Sequence, residues 1–105
     1  KGVLINFLAL ENVISSIREI KDYQVIIKKE RRKLLDEVLI KIALKKRYEK
    51  IRNKVIEKVK EIIKDKFEIT PKIKIVPFEK LTNDIFVKLK SMKIVDLRRN
   101  SIIKF

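Results

Sequence analysis

Apolar residues recur at two different periods along this chain, and the switches between them mark its elements. Gly2 to Ile5 is a short apolar run that predicts a buried strand. Asn6 stands where it can cap a helix beginning just after it. Leu10, Val13, Ile14, Ile17 and Ile20 then return at helical spacing, with Ser15, Ser16 and Arg18 facing away. That spacing predicts an amphipathic helix ending near Lys21-Asp22. Tyr23 to Lys29 is rich in aromatic and β-branched residues and predicts a strand. A charged connector, Lys29 to Lys33, leads to Leu35–Ala43, where Val38, Ile40 and Ile42 fall on one face. These two strands are expected to pair as an antiparallel hairpin with a solvated tip at Arg31-Arg32.

Lys45 to Lys66 carries the longest helical pattern, an apolar stripe of Tyr48, Ile51, Val55, Val59, Ile62, Ile63 and Phe67. Pro71 ends it, because the residue before a proline avoids the α region. Lys72 to Val76 alternates again and predicts a strand. Pro77 and a polar loop at Thr82-Asn83-Asp84 come next, and Ile85 to Lys90 alternates with Phe86, Lys88 and Lys90 on one face. The order is β-α-β-β-α-β plus a C-terminal loop or strand extension. The expected fold class is α+β: a ferredoxin-like antiparallel sheet with both helices on one face.

Composition narrows the chemistry. The 105 residues suffice for a single domain, 1–105, with one modest core. The 28 Lys+Arg against 14 Asp+Glu give a net charge of +14. That excess suits an anionic partner, and equally a lysine- and isoleucine-rich proteome whose solvated faces default to Lys. There is no Cys and no His, which excludes disulfides, zinc sites and Ser–His or Cys–His catalysis. A single Gly cannot build a phosphate-cradling loop. No metal site is expected. The longest apolar run, Gly2 to Leu10, is too short to span a membrane and lacks a leader cleavage site. The chain begins at Lys1, already in a strand-like run, and is expected to be a piece of something larger.

Several segments together resemble one family. They are Lys1-Gly2-Val3, Leu10-Glu11-Asn12-Val13-Ile14, Ile20 to Val25, Leu35-Asp36-Glu37-Val38, Ile69 to Pro77, and Lys90-Ser91-Met92-Lys93-Ile94-Val95-Asp96-Leu97-Arg98. In order and spacing the chain resembles the C-terminal domain of phenylacetate–coenzyme A ligases, among the AMP-forming, adenylate-forming acyl-CoA ligases. The resemblance implies a mobile domain that follows a large N-terminal adenylate-binding domain in the same polypeptide. It also implies a carboxylic acid substrate, with ATP and coenzyme A as cofactors of the full-length enzyme and Mg2+ held outside this domain. This segment alone is expected to bind none of them and to be catalytically incompetent. A cytoplasmic location is implied, with no membrane contact.

By the same resemblance Lys90 matches the loop lysine that serves adenylation, with Lys88 as its alternate. Gly2 matches a glycine near the hinge, where backbone approaches the pantetheine arm of coenzyme A. Leu89 stands where the family has Gly, so three outcomes remain open: Lys90 acts, Lys88 replaces it, or neither is catalytic in a regulatory or interaction domain of the same fold. A small basic nucleic-acid-binding module is the further alternative. It lacks the aromatic, Gly-flanked motif that stacks bases, and Tyr23 and Tyr48 do not share a strand.

Overall fold

The computed structural model describes residues 5–30, 35–82 and 94–98. The expected strand at Gly2–Ile5, the tip at Arg31-Arg32 and the alternating segment Ile85–Lys90 fall wholly or mostly outside them. The first element is helix α1, Phe7–Ser15. Asn6 opens it by accepting a hydrogen bond from Ala9 N–H at 3.0 Å, which satisfies one of the donors a helix leaves orphaned at its start. The helix stops nearly two turns earlier than its periodicity suggests, and Ile20 to Asp22 belong to the strand that follows. Ser16 Oγ donates to Val13 O at 2.6 Å, and the chain turns through Ile17 N–H to Ile14 O. Ile17 and Ile20 still reach the core, from a turn and from the first strand position.

Strands β1, Ile20–Glu30, and β2, Leu35–Leu44, form the antiparallel hairpin at the centre of the sheet. Val25 faces Ile40 and Ile27 faces Val38. All four are buried, as the period-2 pattern requires. A bulge at Lys21 interrupts the register near the start of β1.

The long helical pattern divides. Lys46–Ile51 is a 3-10 turn, and helix α2 runs Arg52–Phe67. Neither start carries a side-chain cap, and Tyr48 N–H bonds three residues back to Lys45 O. A tight turn of this kind satisfies backbone groups where no capping side chain is available. Val55, Val59 and Ile63, at i, i+4 spacing, are the residues of the stripe that are fully buried, while Ile51 lies largely outside the core. α2 ends at Glu68, in the left-handed region at φ 56°, with its N–H bonded to Lys64 O.

Strand β3, Lys72–Ile75, returns parallel to β2, with Ile73 beside Ile40 and Ile75 beside Ile42. Helix α3, Phe78–Thr82, and strand β4, Ile94–Asp96, complete the described chain. β4 lies parallel to β1, giving the order β3-β2-β1-β4.

The α+β class is as expected, with α1 and α2 packed on one face of the sheet over a common core. The sheet is mixed rather than wholly antiparallel. The reason is the helical crossover: β2-α2-β3 brings the chain back to the same end before β3 begins, so its strands run the same way. α3 was not foreseen. It packs against β1 and β2, and Leu81, although buried, lies outside the main core, as does Val95 of β4. β4 at Ile94–Asp96 is a strand in the C-terminal extension, while the alternating segment Ile85–Lys90 lies outside the described residues. Among the described residues β3 lies at the edge of the sheet, where exposed Lys72 and Lys74 would oppose pairing with another chain.

Candidate functional site

Gly2, Lys88 and Lys90 all lie outside the described residues. What the structure fixes is the frame on either side of the lysine segment. Upstream, Leu81 of α3 is 3% exposed. Downstream, Val95 of β4 is 4% exposed and pairs with Ile26 of β1. Lys90 stands four residues before Ile94, so covalent geometry alone keeps it within about 14 Å of that anchored position.

β4 is fastened at its far end by an ionic clasp. Arg98 Nε and Nη2 donate to the two carboxylate oxygens of Asp96 at 2.9 and 2.8 Å. Its third nitrogen, Nη1, donates to Asp36 Oδ2 at 2.9 Å. The Arg98 backbone N–H also reaches Asp96 Oδ1, at 3.1 Å. The Asp36 side chain is 1% exposed. Hydrogen bonding to Asp96 raises the Arg98 pKa against the opposing effect of burial, and Asp36 adds to the rise. The guanidinium therefore stays charged throughout the accessible pH range. Two segments that carry the sequence resemblance thus meet in space where Asp36 joins Arg98. Residue patterns could not reveal this pairing, because nothing local links positions 62 apart.

A second ion pair braces the scaffold. Lys58 Nζ on α2 lies 3.1 Å from both carboxylate oxygens of Glu19, just before β1. Burial pushes the Glu19 carboxyl up. The Lys58 hydrogen bond, a backbone hydrogen bond and the charges of Lys58 and Arg18 together outweigh it, and the net pKa is lowered. On the sheet, Lys72 pairs with Glu37 at 3.2 Å.

A half-open cleft of about 420 Å³ sits where β2 and β3 end and the 3-10 turn leads into α2. Lys21, Lys46 and Arg52 line it, with Glu49, Glu79 and Phe78. The Lys21 ammonium lies 4.3 Å from the Phe78 ring centroid, a cation–π contact. Three basic residues among its ten lining residues match the 28 in 105 of the whole chain, so positive charge is not concentrated there. Tyr23 is 8% exposed and faces the core, where it is unavailable to stack a base. Among the described residues no three His, Cys, Asp or Glu side chains gather to hold a metal. No described helix is long and apolar enough to cross a membrane.

Comparison with known proteins places this frame. A search of curated protein sequences returns no match. Among solved structures, the fold is similar to a domain of phenylacetate-coenzyme A ligase from Bacteroides vulgatus ATCC 8482. That match has a TM-score of 0.71 at 20% identity, covering 92% of this chain and 88% of that one. It is also similar to part of 2-hydroxyisobutyryl-CoA ligase, solved in complex with 2-HIB-AMP and CoA in the thioesterification state. There the TM-score is 0.66 at 9% identity, over 90% of this chain. The match spans 20% of that ligase's chain. The sequence model of the AMP-binding enzyme C-terminal domain matches residues 2–98, nearly end to end, and the chain belongs to that family.

Proposed function

We propose that this chain is the C-terminal domain of an ATP-dependent carboxylate–CoA ligase of the phenylacetate–CoA ligase type. Its partner is an N-terminal adenylate-binding domain of the same polypeptide. The observation that carries this reading is the family match over residues 2–98, supported by the shared fold. In the reading, Lys90 reaches into the partner's active site during adenylation, and the face near Gly2 contributes to the coenzyme A step. ATP, the carboxylic acid and coenzyme A are substrates of the whole enzyme. With one Gly in the chain, the phosphate cradle lies outside it. The absence of Cys suits a reducing compartment, and we place the enzyme in the cytoplasm.

The chemistry asks for a cation. Attack of a carboxylate on the α-phosphorus gathers negative charge on the attacking and bridging oxygens. An ammonium aimed at both stabilises the transition state more than the ground state. The test joins the chain to its N-terminal domain and measures the two half-reactions separately. Lys90→Ala is expected to slow adenylation about 10²–10³-fold and to spare thioester formation from supplied acyl-adenylate. Equal loss in both steps counts against the role. If Lys88→Ala shows the loss instead, the role passes to Lys88. Leu89, standing where the family has Gly, favours a second reading in which the fold is kept and the lysine is silent. Full activity of both variants would establish that reading.

A further inference from the structure

We infer that the cleft beside the 3-10 turn is a binding site for a small organic phosphate, a phosphate group carried on an apolar or aromatic body. The site is separate from the lysine chemistry proposed above and does not depend on it. Every residue that lines the cleft is among the described ones. Its volume of about 420 Å³ falls in the range that takes a small ligand.

The lining is of two kinds. Leu44, Ile75, Val76, Pro77 and Phe78 supply apolar surface, and Lys21, Lys46 and Arg52 supply cations. The lining alone is no more basic than the chain, but the turn that forms part of it is. Residues 45–54 hold six basic side chains and one acidic one, a net +5 of the chain's +14 in about a tenth of its length. A local excess of this kind raises the concentration of anions at the cleft.

A backbone irregularity places the third cation. Ile20 pairs with Leu44 and Asp22 with Ala43, which leaves Lys21 as the extra residue of a bulge. A bulge re-aims the side chain it carries. The Lys21 ammonium lies 4.3 Å from the centroid of the Phe78 ring, which is 37% exposed. A cation already held on a ring has less side-chain freedom left to lose when a ligand arrives.

A bare anion would leave Phe78 and its neighbours uncovered, and a neutral apolar molecule would leave the cations unused. A phosphate on an apolar body meets both. Arg52 can offer paired N–H donors to phosphate oxygens, and Lys21 and Lys46 add point charges. Glu49 and Glu79 also line the cleft, so its own charge is only +1. A phosphate near −2 gains about twice as much from that excess as a carboxylate does.

The test titrates the 105-residue chain with phenyl phosphate, inorganic phosphate and phenol at about 0.1 M ionic strength, followed by backbone amide NMR shifts. Phenyl phosphate is expected to bind with Kd about 1 mM and to shift amides around Lys21, Lys46, Arg52 and Phe78. Inorganic phosphate should bind at least about fivefold more weakly, and phenol should not saturate. Arg52→Gln should weaken phenyl phosphate about five- to tenfold. Glu49→Gln should tighten it about twofold, a gain that misfolding cannot produce. Lys64→Gln, at the other end of α2, should leave it unchanged.

Equal binding of phenyl phosphate and inorganic phosphate, with shifts spread over basic residues away from the cleft, overturns the inference. So does equal weakening by Arg52→Gln and Lys64→Gln, or a phenyl phosphate titration that shows no saturation by about 20 mM. If Arg52→Gln does not fold, Lys46→Gln takes its place beside Glu49→Gln, and opposite shifts in Kd from that pair are required.

Discussion

Arg98 Nη1 lies 2.9 Å from Asp36 Oδ2, joining two residues 62 positions apart. Asp36 is the more enclosed partner, with its side chain 1% exposed against 22% for Arg98. Removing the arginine would take the guanidinium away from a buried carboxylate. Arg98→Met is therefore expected to destabilise the domain by about 3 kcal/mol. Combining it with Asp36→Leu should recover about half of that loss, because the buried charge goes with its partner. Urea unfolding of the wild type, the single variant and the double variant checks both values. A loss for Arg98→Met below about 1 kcal/mol would mean that other neighbours or water compensate the Asp36 charge.

Glu19 supplies a pH dependence. Its folded pKa is lowered, so the folded state holds its proton less tightly than the unfolded chain does. The stability it contributes is present above the unfolded value of about 4.3 and is lost as pH falls through the lowered folded value. Unfolding free energy measured from pH 7 down to about 3 should decline, and Glu19→Gln should flatten part of the decline. Lys58→Met should cost no more than about 1 kcal/mol at neutral pH, since the Lys58 side chain is 46% exposed.

Glu68 offers a stabilising change. Its φ of 56° places a residue with a Cβ in the left-handed region at the end of α2. Glu68→Gly should relieve that strain and raise stability by about 0.5–1 kcal/mol, after the greater unfolded-state entropy of glycine is counted. Thermal unfolding should show a rise of a few degrees. A fall would show that the Glu68 side chain contributes more than its backbone loses.

The elements that could be read from residue patterns are those whose burial is set by their own periodicity. Val38, Ile40 and Ile42 announce a strand with one buried face, and Val55, Val59 and Ile63 a helix with one buried stripe. What escaped depends on partners distant in sequence. The parallel placement of β3 follows from the crossover and not from its own alternation. α3 has five residues, too few to show a helical period, although Pro77 before it and Glu79 in its first turn are the signals that could have found it. The 3-10 turn at Lys46–Ile51 shares the apolar spacing of α2, so the stripe through Tyr48 and Ile51 suggested one continuous helix. At the site, residue order and spacing pointed to the family, while the Asp36–Arg98 clasp was visible only once the strands were assembled.

Among the described residues the sheet is uneven in length: β1 and β2 run 11 and 10 residues, β3 and β4 4 and 3. The long pair is also the pair nearest in sequence, so it closes at the smallest entropic cost and is suited to form early in folding. The short outer strands then add to a ribbon already in place. Amide protons at the centre of that ribbon, around Val25 and Ile40, should exchange only on global opening, and those of β4 sooner, through local release. A domain built this way can loosen the strand next to its lysine segment while its middle stays closed.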